Sequence, residues 1–257
     1  MASKSAAEIV AAARSDEKIT TSELITHLFP DFIELHGDHA GTDDAAIVGG
    51  LATLNGQPVT VVATNRGTTI EERVETHFGC PTPGGYRKAL RLAQQAAKFN
   101  RPVLFFVNTP GAYPGQSAEE NGQGYAIADN LVKISQLKTP IITVIFGEGG
   151  SGGALALACG DAVYMLEDST YSILSPEGFA SILWKDSARA DEAAEIMQIT
   201  PQDLLKKQII EGIIDEPDDH EQICKNIAEV LTEELAQLKQ KTVDTLVQER
   251  QNRYRKF

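Results

Sequence analysis

Cysteine is scarce and unpatterned in this chain: Cys80, Cys159 and Cys224 lie far apart and form no C-x-x-C pair. That spacing argues against a disulfide framework and against a zinc site built on thiolates. Basic charge is also short, with 23 Lys and Arg against 36 Asp and Glu, a formal net charge of −13. A sequence-independent grip on nucleic acid or on an anionic membrane relies on basic patches, so neither partner is expected. No apolar run approaches the length of a membrane span, and Met1–Ser15 has neither the apolar core nor the cleavage pattern of a signal peptide. A cytoplasmic location is the resulting expectation. What remains is 257 residues of ordinary globular composition, 42% apolar and 23% charged, enough for a large core.

Glycine is abundant where it matters. In Ile141–Leu157, IITVIFGEGGSGGALAL, a short apolar run leads into five glycines within seven residues, and small helix-forming residues follow. The pattern predicts a buried strand, a glycine loop and a buried helix. Such a turn admits positive φ and leaves N–H groups bare at a helix start, a candidate anion or oxyanion site. Three chemistries fit the spacing. Gly147, Gly149 and Gly152 spell the dinucleotide fingerprint G-x-G-x-x-G, with Glu167–Asp168 near the distance of its acidic partner. Gly149, Ser151 and Gly153 spell the hydrolase nucleophile elbow G-x-S-x-G. Thirdly, the N–H groups of Gly152 and Gly153 could themselves act, with Ser151 a bystander.

The rest of the chain supplies context. Ser5-Ala-Ala-Glu8 and Thr20-Thr-Ser-Glu23 are capping boxes that predict two opening helices. Residues 37–46, GDHAGTDDAA, form a polar loop whose His39 and aspartates, with His36, follow no metal-ligand spacing. Asn55–Gly56 predicts a hairpin turn. Tyr86–Phe99 has helical period, and Arg87, Lys88 and Arg91 cluster at its start as possible phosphate contacts or a solvated face. Pro102–Val107 and the loop Asn108–Gly115 repeat the strand–glycine-loop pattern, before one long helix predicted over Ser117–Gln136 with Ser117 as cap. Short strands are expected at Asp161–Leu166, Thr170–Leu174 and Ile213–Pro217, with helices from Ser175, Asp191 and Thr200. The tail carries Ile223, Ile227, Leu231, Leu235 and Leu238 on one face, core or partner surface.

Two consecutive strand–loop–helix units place two glycine loops at neighbouring strand ends, where α/β sheets hold ligands. The dinucleotide reading suffers because Gly160 stops the helix early and the fingerprint lies mid-chain. The hydrolase reading needs a later histidine, and His220, the only one, sits in an acidic surface-like stretch. The oxyanion reading needs no further side chain and does modestly best.

Longer motifs are more specific. DDAAIVGGLATLNGQPV, GYRKALRLA, NTPGAYPGQSAEENGQGYAIADNL, IFGEGGSGGALALACGD and STYSILSPEGFASILWKD resemble, in order from about Glu34 to Pro217, the carboxyltransferase α subunit of bacterial multi-subunit acetyl-CoA carboxylase. The resemblance implies a crotonase-like α/β fold, a spiral of ββα units, here one domain over 1–257 with short N-terminal helices and residues 218–257 as a helical extension. The chain departs from many relatives in lacking a long N-terminal extension and in its short C-terminal end. The implied reaction moves a carboxyl group from carboxybiotin, on a separate carrier protein, to acetyl-CoA, giving malonyl-CoA, the first committed step of fatty acid synthesis.

On this resemblance Gly152 and Gly153 match the oxyanion hole for the ureido oxygen of biotin, and Gly111, Ala112, Gly149 and Gly150 are carboxybiotin contacts. Arg87, Lys88 and Arg91 are possible CoA phosphate contacts, and Glu177 is structural. Implied partners are a carboxyltransferase β subunit in an α2β2 heterotetramer, the biotin carboxyl carrier protein and biotin carboxylase. No metal is expected in this chain, since the family's zinc belongs to the β subunit. A Ser151 hydrolase and a non-catalytic assembly subunit are the competing expectations.

Overall fold

A computed structural model describes residues 4–256. Eight strands are present: β1 (Ile33–Glu34), β2 (Ile47–Leu54), β3 (Gln57–Thr64), β4 (Val103–Thr109), β5 (Ile141–Gly150), β6 (Ala162–Leu166), β7 (Thr170–Ser172) and β8 (Gly212–Ile214). They join one sheet in the order β1-β2-β3-β4-β5-β6-β8, with β7 beside the far end of β5. The first three strands pair antiparallel and the remainder parallel. The hairpin between β2 and β3 turns at Asn55 (φ 48°) and Gly56 (φ 79°), the left-handed pair that a two-residue turn matched to strand twist requires.

Twelve helices cover the sheet: α1 (Ala6–Ala13), α2 (Thr21–Leu28), α3 (Ile70–Glu75), α4 (Pro83–Lys98), α5 (Gln116–Glu120), α6 (Gln123–Ile134), α7 (Ser151–Leu155), α8 (Pro176–Trp184), α9 (Ala190–Met197), α10 (Pro201–Lys206), α11 (His220–Leu238) and α12 (Val243–Tyr254). Strand alternation divides the core into two layers. Leu104, Phe106, Val144 and Phe146 face α2 and α11, whereas Val103, Phe105, Val107 and Ile145 face α4, α6 and α7. Central strands buried on both faces explain the near-continuous apolar runs of β4 and β5. The stripe Ile223, Ile227, Leu231, Leu235 and Leu238 lies wholly in the first layer, so α11 packs into the core.

Two sequence expectations need correction. The helix expected over Ser117–Gln136 is two helices, because Gly122 takes φ 83° between them, and Gly115 rather than Ser117 stands at the first cap. The glycines after Phe146 do not form a loop. Gly147–Gly150 continue β5, pairing with Thr109 on one side and with β7 on the other, and α7 begins abruptly at Ser151.

Candidate functional site

The corner from β5 into α7 is packed by absence of side chains. A Cβ on Gly147 would meet the Asn108 amide at 2.4 Å, and one on Gly150 would meet the Pro110 carbonyl at 2.0 Å. One on Gly153 would meet the Ala112 nitrogen at 2.5 Å and the Tyr86 hydroxyl at 2.7 Å. Glycine every third residue thus lets β5 and α7 lie against the loop 108–112. The structure brings Gly111 and Ala112 directly to Gly150 and Gly153, as the repeated pattern predicts. Gly111 itself has φ 149°.

Gly152 is different. The nearest atom to a Cβ there is Ile127 Cγ2 at 3.7 Å, so its outer side is open. Among the described residues, no loop, cap or side-chain acceptor takes the N–H of Gly152 or Gly153. Gly152 lines a groove of about 680 Å³, together with Leu155, Tyr171, Ile173, Phe179, Ile199 and Tyr254 among others, while Gly153 is buried behind it against the loop 108–112. Gly149, in contrast, is buried between β4 and β7, with Tyr171 and the Thr170 carbonyl near 3 Å from a Cβ. Strand packing accounts for its lack of a side chain. The five-residue length of α7 also weakens the dipole argument, since aligned peptide units are few.

Ser151 has φ 51°, a left-handed conformation uncommon for a residue with a side chain. That is the elbow geometry a nucleophile would want, but no base accompanies it. The His220 ring sits beside the Glu23 carboxylate and the Glu17 carbonyl, and no histidine among the described residues is hydrogen-bonded to Ser151. The hydrolase chemistry therefore lacks its proton acceptor.

Around the corner lies an ion-pair frame that sequence reasoning missed. Glu148, one residue before Gly149, accepts from Arg14 Nε at 2.7 Å and from Arg66 at 3.1 Å. Arg14 also grips Glu177 at 2.6 Å, holding that carboxyl below its ordinary value. Glu177 thereby ties α8 to α1 and β5. These partners are 82 to 163 residues apart, so no local pattern could announce them.

The basic cluster on α4 is also spoken for. Arg87 Nε donates to Asp38 at 2.7 Å, Lys88 pairs with Asp43 at 2.8 Å, and Arg91 donates to the carbonyls of His36 and Gly37. Lys88 is 1% exposed, so its ammonium is buried in this pairing. The loop of His36, His39 and the aspartates is not merely solvated. Asp38 accepts from Ala40, Thr42 and Arg87, while Asp44 accepts from Ala46 and Thr82, fastening the loop to α4. Among the described residues no three His, Cys, Asp or Glu side chains are grouped to hold a metal.

Comparison with known proteins agrees with this geometry. The family described as acetyl co-enzyme A carboxylase carboxyltransferase-like matches residues 2–257. Acetyl-coenzyme A carboxylase carboxyl transferase subunit alpha of Streptococcus pneumoniae, strains Hungary19A-6 and ATCC 700669, is 53% identical over 252 residues, covering 98% of this chain and 99% of theirs. In solved structures, transcarboxylase 12S superposes with a TM-score of 0.69 at 22% identity over 88% of this chain. The β subunit of Pseudomonas aeruginosa geranyl-CoA carboxylase gives 0.66 at 17% over 89%. The fold is the crotonase-like one of these carboxyltransferases, and this chain spans 44% of the length of each.

Proposed function

We propose, from the premise that this chain belongs to the acetyl co-enzyme A carboxylase carboxyltransferase-like family, that its β5–α7 corner is the carboxybiotin half of a composite active site. The enzyme activity is biotin-dependent carboxyl transfer to acetyl-CoA, that of the α subunits it matches along nearly its whole length. The observation that carries the site assignment is the contrast at Gly152: open space outside it, two N–H groups without acceptors, and an apolar groove beside them. Donors aimed where negative charge develops, at the edge of a water-poor surface, are what such a reaction needs.

Carboxybiotin, when bound, would supply the activated carboxyl group and present its ureido oxygen to this corner. The residues present fit that group. The N–H groups of Gly152 and Gly153 would donate to the ureido oxygen, the groove would take the rings and tail, and the backbone of Gly111–Ala112 and Gly150 would wall the other side. Gly153, clamped against Ala112, fixes one donor in place. Arg87 and Arg91, partly exposed, remain as proposed CoA phosphate contacts at the edge of α4. No side chain of this chain is required as base. We assign acetyl-CoA chiefly to a β subunit in an α2β2 assembly served by the carrier protein and biotin carboxylase, with any zinc in that β subunit.

The test is malonyl-CoA formation by the complex reconstituted with a β subunit. Ser151→Ala keeps both N–H groups and is expected to keep most activity. Gly152→Val places a branched side chain where the ligand must approach, and is expected to lose on the order of 10²–10³ in turnover. The reverse order of losses, with assembly intact, would refute the oxyanion assignment in favour of a serine nucleophile.

A further inference from the structure

The helix α12 is docked by polar contacts to an unusual degree. Only Leu246 and Arg250 are buried along it. Arg250 is 1% exposed, and all of its donor nitrogens are engaged: Nε and Nη2 with the two oxygens of Asp161 at 2.8 Å, and Nη1 and Nη2 with the carbonyls of Ile134, Leu137 and Thr139. The same Asp161 accepts from the Ile141 nitrogen at 2.7 Å, the first residue of β5. One turn later, the Tyr254 hydroxyl bridges the carbonyls of Ala158, at 2.8 Å, and Gly160, at 3.1 Å, immediately beyond α7. Arg250 therefore fixes where β5 starts, and Tyr254 fixes where the chain leaves α7.

Apolar burial is non-directional, whereas charge-assisted and bidentate hydrogen bonds set position. A buried arginine–carboxylate pair adds little net stability after desolvation, so placement is the better account of it. The element being placed needs it. Five residues of helix cannot hold their own geometry, since isolated helices shorter than about 12 residues are marginal. Inside the unit, α7 is followed by bonds from Ala156 to Gly152, Leu157 to Ala154 and Ala158 to Leu155, and Thr143 holds the Leu157 carbonyl at 2.9 Å. The Tyr254 hydroxyl closes that series at the Ala158 and Gly160 carbonyls. Burial pushes its pKa well up, so it remains a neutral donor.

We infer that α12 is a strap, and that Tyr254 is a positioning residue that holds α7 so that the Gly152 and Gly153 donors stay in register for carboxyl transfer. This rests on the site assignment above and adds a residue about a hundred positions away in sequence that touches no reacting atom.

The experiment uses the complex reconstituted with a β subunit and compares Tyr254→Phe with Tyr164→Phe, which removes a hydroxyl bonded to Glu234 on β6, away from the corner. Tyr254→Phe is expected to lower kcat about 5- to 20-fold with KM for acetyl-CoA unchanged, and to speed amide exchange in the 151–160 peptide about tenfold or more. Tyr164→Phe is expected to change neither. Unchanged exchange at 151–160 in Tyr254→Phe overturns the inference, as does an equal effect from Tyr164→Phe. Gly152→Val, run alongside, separates the two levels. If it abolishes turnover while Tyr254→Phe speeds exchange and leaves kcat intact, the strap is wrong and the site assignment stands. If Gly152→Val is itself harmless, the site assignment fails and takes the catalytic meaning of Tyr254 with it.

Discussion

Gly152 and Gly153 are neighbours in sequence that face opposite surroundings, and single methyl groups should tell them apart. A Cβ on Gly152 meets nothing nearer than 3.7 Å, and its φ is not among the left-handed ones, so Gly152→Ala costs the fold little beyond helix-interior propensity, which favours it. The same change at Gly153 drives a methyl into the Ala112 nitrogen at 2.5 Å and the Gly111 carbonyl carbon at 2.7 Å, backbone atoms that cannot swing away. Overpacking of this kind costs about 1–3 kcal/mol. Thermal unfolding should therefore be unchanged or slightly raised in Gly152→Ala and lowered by several degrees in Gly153→Ala. Equal melting points would mean that the two loops are not in contact. The open side at Gly152 matters for function because the fold makes no use of it, and a ligand can.

At the scale of elements, the acidic loop and α4 behave as one unit, and acid should pull them apart. Burial pushes the Asp38 carboxyl up, but hydrogen bonds from Thr42 and Ala40 and the Arg87 guanidinium outweigh it, leaving the group well below the usual carboxylate range. A carboxyl depressed in the folded state contributes stability that is fully present above its unfolded value, near pH 4, and is lost as pH falls toward the folded one. Asp38→Asn should accordingly be less stable than the parent at pH 6, with the gap beginning to narrow only below about pH 4, as read from urea midpoints. A gap that stays constant would sink this account. What the sequence could announce here was local. The capping boxes at Ser5 and Thr20, the caps at Ser175 and Thr200, and the Asn55–Gly56 turn all form, because each is decided within four residues. The basic cluster on α4 was visible, but its partners lie some fifty positions earlier and only the fold reveals them. Gly147–Gly150 read as a loop because glycine disfavours strands. The override came from Pro110 and Tyr171, which demand a bare backbone. The glycine pair of the candidate site was legible; the residues that hold it, Arg14, Glu148, Arg250 and Tyr254, were not, since none belongs to a short pattern.

For the whole molecule, the question is why one domain should carry only half a reaction. The solved carboxyltransferases of this fold have chains more than twice as long, and this chain covers 44% of them. Its own surface is unfinished beside the candidate site. Ile173, Ile182, Leu183 and Ile196 are 87%, 67%, 58% and 54% exposed; Ile173 and Ile196 line the groove by Gly152, and Ile182 and Leu183 lie on α8, whose Phe179 also lines it. Scattered exposed apolar residues are ordinary, but several together beside a binding groove mark a surface that a partner covers. The corner offers one pair of oxyanion donors, whereas carboxyl transfer to acetyl-CoA develops charge on both reactants, so the second pair must come from elsewhere. The isolated chain should then form no malonyl-CoA, and activity should appear on adding a β subunit. A central apolar contact in such an interface is worth about 2 kcal/mol when lost, roughly thirtyfold in affinity. Ile182→Glu should weaken association by about that factor, measured by sedimentation equilibrium, and leave the melting point of the chain alone unchanged, because the side chain supports no core. Turnover at saturating β subunit should recover, since α8 lies outside the glycine corner. Association as tight as the parent's would place the partner on another face, and malonyl-CoA formed without any β subunit would refute the half-site reading altogether.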